Sequence, residues 1–159
     1  MLSHECAIAA LLLCVGPGFA RENLARNAVA TASSSLIGHS PGSASDGSLN
    51  SYWAPAAGAG MDSWLELSWN APVTVRELVV RRGDDAAGES PFTRLTVEVF
   101  DGQAWRVLQS SGDGTLPIPL IDYLRFPERT VSKLRLTGLG EGASIRELEL
   151  YATQTPPWL

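Results

Sequence analysis

After residue 20 the chain shows almost no helical periodicity. Apolar and polar side chains instead alternate in short runs between Gly, Pro, Asp and Asn. A period of two sends successive side chains to opposite faces of an extended strand. Residues 64–69 alternate in this way, as do 95–100 and 131–136. Residues 28–35 read as an edge strand of small residues, and 73–82 as a longer strand carrying Val73, Val75, Leu78 and Val80. Asp101-Gly102 turns residues 95–100 into 105–108 as a hairpin. Residues 145–151 close the series. Short strands punctuated by turn residues imply an all-β fold, an antiparallel β-sandwich or jelly roll of about eight strands.

A chain of 159 residues is long enough for one domain with a proper core. Residues 7–15 form an apolar run, and Gly18-Phe19-Ala20 places small residues where a signal peptidase cuts. The run is too short to span a bilayer. Residues 1–20 are therefore expected to be a secretory signal, with the protein secreted or periplasmic. The start departs from the usual pattern, because Leu2-Ser3-His4-Glu5 carries no Lys or Arg. Cys6 and Cys14 both fall in this segment, so the domain at 21–152 is left without a disulfide and must stand on its core or on a metal. Residues 153–159 contain Pro156-Pro157 and read as a linker or loose tail.

Charge and motif content exclude several classes. The formal net charge is −5, and the 12 basic residues are scattered, with Arg81-Arg82 the one basic pair. Nucleic-acid binding needs a concentrated positive stripe, and docking on anionic lipid needs a basic cluster. Beyond residue 20 His39 is the sole histidine and cysteine is absent; Gly38-His39-Ser40-Pro41-Gly42 has the Gly-x-Ser-x-Gly spacing, but in a turn-rich loop rather than the strand-to-helix turn of a nucleophile elbow. A zinc centre needs more histidine or cysteine than this, and a Ser-His-Asp triad would have to be built on His39 alone. Asp84-Asp85 are neighbours on a turn, a poor way to hold a glycosidase pair at fixed separation. The expectation is a protein that is not an enzyme.

The densest cluster of chemistry is Ser43-Ala44-Ser45-Asp46-Gly47-Ser48-Leu49-Asn50-Ser51-Tyr52-Trp53. It joins a carboxylate, side-chain oxygens and a glycine in one turn, the donor type that hard cations such as calcium select. About a hundred residues on, Ser144-Ile145-Arg146-Glu147-Leu148-Glu149-Leu150-Tyr151 supplies an acid at the start of a strand. The alternative is an ordinary Asp-Gly turn, with Glu147 facing solvent.

Taken in order, Asn23-Leu24-Ala25, Ala30-Thr31-Ala32-Ser33-Ser34, Ala44-Ser45-Asp46-Gly47 with Ser51-Tyr52-Trp53, Trp64-Leu65-Glu66-Leu67, Asp101-Gly102 with Trp105, Lys133-Leu134-Arg135-Leu136 and the 145–151 strand form one set of landmarks. That set resembles the discoidin, or coagulation-factor type C, family over residues 23–152, and within it the bacterial family 32 carbohydrate-binding modules. The resemblance implies a galactose-binding-like jelly roll, glycan binding by loops at one end and a structural calcium ion. Carried over, Asp46 and Glu147 would supply carboxylates. Ser43, Ser48 and Arg146 would supply backbone carbonyls, and Ser51 its carbonyl with its hydroxyl.

For the ligand the resemblance points to Arg82, which follows a strand as the sugar-binding arginine does in the family. His39, Tyr52, Asp84 and Phe92 are further candidates, with Trp53 held as a secondary one. An aromatic face suits the C–H surface of a sugar ring, and the rigid guanidinium fork suits its hydroxyls. Competing readings pair Arg82 with Asp84 or Asp85 in solvent and let Phe92 cover the core edge. Trp64 and Trp105 read as structural, with Trp105 packing inward. The loop Gly138-Leu139-Gly140-Glu141-Gly142-Ala143 lacks the aromatic that the family often places there. The expectation is a secreted, non-catalytic, calcium-stabilised carbohydrate-binding module, with a linked or partner glycoside hydrolase among its partners. The alternative is a protein-interaction or structural domain without a working sugar site. Membrane lipid ranks last, because residues 54–61 offer only Met61 as an apolar tip.

Overall fold

The computed structural model describes residues 21–83, 92–140 and 142–155. The proposed signal, Asp84 and the Pro-Pro end of the tail lie outside the described residues. Six strands are present among those described: β1 Val29–Ala32, β2 Trp64–Arg82, β3 Leu95–Phe100, β4 Trp105–Ser111, β5 Ile121–Thr137 and β6 Ile145–Tyr151. Every pairing is antiparallel. The order runs β1-β2-β5-β3-β4, with β6 on the far half of β2.

The seven runs read from the sequence become six strands among the described residues because two of them fuse. Residues 64–69 and 73–82 are the two limbs of β2, whose pairing with β5 shifts register between Ser68 and Val73. Pro72 sits in that gap, and a residue without an N–H belongs where a ladder is interrupted. A second shift, between Val75 and Glu77, falls opposite Pro127 in β5. β5 is also far longer than the alternating run at 131–136. Its first limb exposes Tyr123, Arg125, Glu128 and Arg129, and buries Leu124 and Phe126.

These interruptions let the β2–β5 ribbon fold back on itself. A straight strand of 19 residues would span about 60 Å. Yet Trp53 bridges Ile145, which pairs with Arg82 at one end of β2, while Ser33, after β1, donates to the carbonyl of Trp64 at the other. Both ends of the ribbon thus reach one pole, where the connections 33–63 and 138–144 gather. The result is a β-sandwich around one core of Leu65, Leu67, Leu78, Val80, Leu134, Leu136, Leu148 and Leu150. Trp53 is fully buried in it, and its indole N–H donates to the Ser34 carbonyl and the Ser35 hydroxyl. A buried indole needs such a partner.

Two further expectations change. Trp105 does not pack inward: it lies half-buried on the outer sheet face beneath Arg135, whose guanidinium carbon is 4.1 Å from the ring. The first part of the tail is not loose. Thr155 gives its backbone N–H and its hydroxyl to Glu77, and the Thr153 carbonyl accepts from Arg21.

Candidate functional site

The pole is built around a bulge in β6. In a regular strand Ile145 and Leu148 would face opposite sides, yet both are buried in the core. Register shows why: Arg82 pairs with Ile145 and Arg81 with Glu147, so Arg146 is the extra residue. A bulge of this kind re-aims a side chain. Here it sends Arg146 toward the 33–53 loop, where its Nη1 donates to the Leu49 carbonyl at 3.0 Å. It also leaves Glu147 beside Arg81, turned toward the Asp46 turn.

The Asp46 turn is organised by its own carboxylate. Oδ1 accepts the Ser48 N–H at 2.8 Å and Oδ2 the Ser51 hydroxyl at 2.7 Å. The Ser48 hydroxyl accepts the Asn50 N–H. Ser43 lies in the preceding 3-10 turn, Pro41–Ala44. Gly47 has φ +81°, and a Cβ there would stand 2.8 Å from the Arg26 guanidinium carbon. Only glycine takes that backbone angle without strain. The Gly47 N–H then points at Glu147 Oε2, 3.1 Å away.

Glu147 is buried, at 4% exposure. Its carboxyl is pushed up to about 7, first by burial and then by the charges of Asp46 and Glu149, against the Gly47 N–H and Arg26. Among the described residues its other oxygen has only a 3.4 Å contact with the Asn23 amide. A buried acid beside a second carboxylate, with so few donors, fits a hard cation. The two carboxylates and neighbouring neutral oxygens are the donors present. Arg26 now supplies part of the positive charge, reaching the Asp46 carbonyl at 3.4 Å. Among the described residues no three acidic, imidazole or thiol groups converge.

Beside this turn the structure brings together His39 and Tyr52. Their rings stack with centroids 3.9 Å apart and planes 25° from parallel, and the Arg146 guanidinium lies 5.7 Å from the Tyr52 centroid. Both rings are half-buried. Tyr52 faces outward because its neighbour Trp53 faces in. Arg146 entered the sequence reading only as a carbonyl donor. The three-residue spacing from Ile145 to Leu148 was the one sign that its side chain would be redirected.

The remaining candidates are placed differently. Arg82 is 9% exposed, with Nε donating to the Ile118 carbonyl at 2.8 Å and Nη1 to the Gly83 carbonyl at 2.8 Å. It ties the end of β2 to the 112–120 connection; Asp84 and Asp85, the acids of the competing reading, lie outside the described residues. Trp53, fully buried, and Phe92, at 4% exposure, belong to the core and present no face to a ligand. Ile37, at 97% exposure, is an apolar tip that the sequence reading passed over.

The model of the F5/8 type C domain matches residues 29–149, and the chain belongs to that family. No curated protein matches the chain. Among solved structures, a chitosan-binding module from a chitosanase/glucanase of Paenibacillus sp. IK-5 is 28% identical, with a TM-score of 0.65 over 82% of this chain and 98% of that one. A family 32 carbohydrate-binding module from C. perfringens, solved with galactose, is 15% identical with a TM-score of 0.68, over 81% and 97%. A GH29 fucosidase of Ruminococcus gnavus is 18% identical with a TM-score of 0.69, the match covering 85% of this chain and 28% of the fucosidase. The last two likenesses are of fold alone.

Proposed function

We propose that the protein is a non-catalytic glycan-binding module, secreted or periplasmic, which takes its ligand at the loop pole. The observation that carries this reading is membership of the F5/8 type C family, together with a match that spans 98% of a chitosan-binding module at 28% identity. His39 and Tyr52 offer stacked ring surface for the C–H face of a sugar, and Arg146 offers planar donors beside it. A calcium ion bound by Asp46 and Glu147, with carbonyls of Ser43, Ser48, Ser51 and Arg146, would neutralise the two acids and fasten the Asp46 turn to β6. Joined to a glycoside hydrolase, such a module raises the enzyme's local concentration at a glycan surface.

The test is native electrophoresis of the calcium-loaded chain in gels cast with chitosan, galactan or no polysaccharide. Retardation in a polysaccharide gel, relieved by Tyr52→Ala, is the expected result. The burial of Arg82 favours a second reading, a protein-interaction domain without a sugar site. Folded protein that runs unretarded in every gel overturns the first reading in favour of the second.

A further inference from the structure

The face of the sheet opposite the core carries a second concentration of aromatic and planar polar groups. An open groove of about 410 Å³ crosses the start of β2, the end of β5 and β3, lined by Met61, Asp62, Trp64, Arg94, Glu98 and Arg135 among others. Sites for small ligands fall in the range of ~300–1,000 Å³. Arg135 forms the floor. Its guanidinium lies over Trp105 at 4.1 Å, and Nε and Nη2 both donate to Glu98, at 3.0 and 2.8 Å. A cation held over an indole and gripped on one edge by a carboxylate is an oriented donor, with Nη1 outside that two-bond pair. Trp64 is half-buried and lines the groove beside it.

We infer that this groove is a second saccharide site, specific for uncharged glycans, on the outer sheet face at the edge of the loop pole and apart from the His39–Tyr52 stack, neither of whose rings lines it. Charge decides the ligand class. Asp62 and Glu98 balance Arg94 and Arg135, so the groove concentrates neither polyanions nor polycations. A neutral polyol uses both signs at once, accepting from the guanidinium groups and donating to the carboxylates. The Trp64 indole offers a surface for the ring's C–H face. The groove is open to solvent, which leaves room for a chain to extend beyond the bound sugar. With one ligand at the pole and one on the sheet, a module gains avidity on a polysaccharide without any new contact.

The inference goes beyond the proposed function, since it needs no ligand at His39 and Tyr52. The test is nuclear magnetic resonance of the full chain, following the indole N–H groups and the ring signals of His39 and Tyr52, the Trp64 signal being assigned by its loss in Trp64→Phe. The probes are cellotriose, laminaritriose and galactotriose, with protonated chitotriose as the charged comparison. The expected result is a saturable shift of the Trp64 signal with at least one neutral trisaccharide and a smaller one with chitotriose. Arg135→Lys, which keeps the charge and loses the fork, should weaken that binding about fivefold or more, and Tyr52→Ala should leave it unchanged. Preserved indole dispersion in Arg135→Lys shows that the variant is folded. Shifts confined to His39 and Tyr52 overturn the sheet-face site and leave the loop-pole site standing. A panel that moves neither set overturns both. A Trp64 shift that responds to Tyr52→Ala and not to Arg135→Lys also overturns the sheet-face site.

Discussion

Glu77→Gln is the substitution whose cost the structure lets us work out most fully. The Glu77 side chain is fully buried and accepts four hydrogen bonds, from Arg21, from Arg125 and from the backbone and hydroxyl of Thr155. Burial alone would raise its pKa. The Thr155 and arginine bonds outweigh burial and hold it at about 2, against an ordinary 4.5. At about 1.4 kcal/mol per pH unit, this difference sets a ceiling of about 3.5 kcal/mol on the carboxylate's contribution. The arginine side chains are 27% and 40% exposed, so water screens part of the gain. About 2–3 kcal/mol is the expected loss at pH 7, a fall in Tm of roughly 5–10 °C. The sign of the pH dependence follows from the depressed pKa. The contribution is whole above about pH 4.5 and is lost as pH falls toward 2. Urea unfolding of both proteins at pH 7, 4 and 3 should show a gap that narrows steadily. A gap that stays constant with pH, or one below about 0.5 kcal/mol at pH 7, refutes the assignment of stability to this charge.

Three further outcomes follow from the pole and the core. Free calcium at a hundred times its Kd should stabilise the protein by about 2.7 kcal/mol, and Asp46→Ala should remove the effect; identical melts with calcium and with chelator would contradict the site. Trp53→Ala empties the volume of a fully buried indole and should cost about 3–5 kcal/mol in denaturant unfolding. Gly112→Ala should cost about 2 kcal/mol or more, because φ is +76° and the new Cβ would stand 2.2 Å from the Thr93 carbonyl oxygen.

The sequence was most readable where the structure is most periodic. Leu95–Phe100 and Ile145–Tyr151 form where alternation placed them, since one buried face fixes the register of each. The first limb of β5 was missed because its outer residues are charged and Pro127 reads as a break. It is held in the ribbon by its long-range partner β2, which no local pattern reveals. At the site, Asp46, Gly47 and Glu147 stood out through chemistry that a short turn displays directly. Arg82 stood out too, but as a ligand contact, because Arg81-Arg82-Gly83-Asp84-Asp85 looks like an exposed turn. Its burial depends on the Ile118 carbonyl, 36 residues away. The same applies to Trp105, whose partner Arg135 arrives from a strand distant in sequence. The His39–Tyr52 stack spans a loop whose course is set by the Trp53–Ile145 bridge.

The most direct test of the glycan-binding reading is a broad glycan array probed with the calcium-loaded protein beside Tyr52→Ala and His39→Ala. Arg82→Ala would confuse the result, since Arg82 holds the pole together through backbone carbonyls. The account predicts a selective set of bound glycans, weakened about fivefold or more by either substitution in variants that melt like the parent. A blank array from folded protein would contradict it.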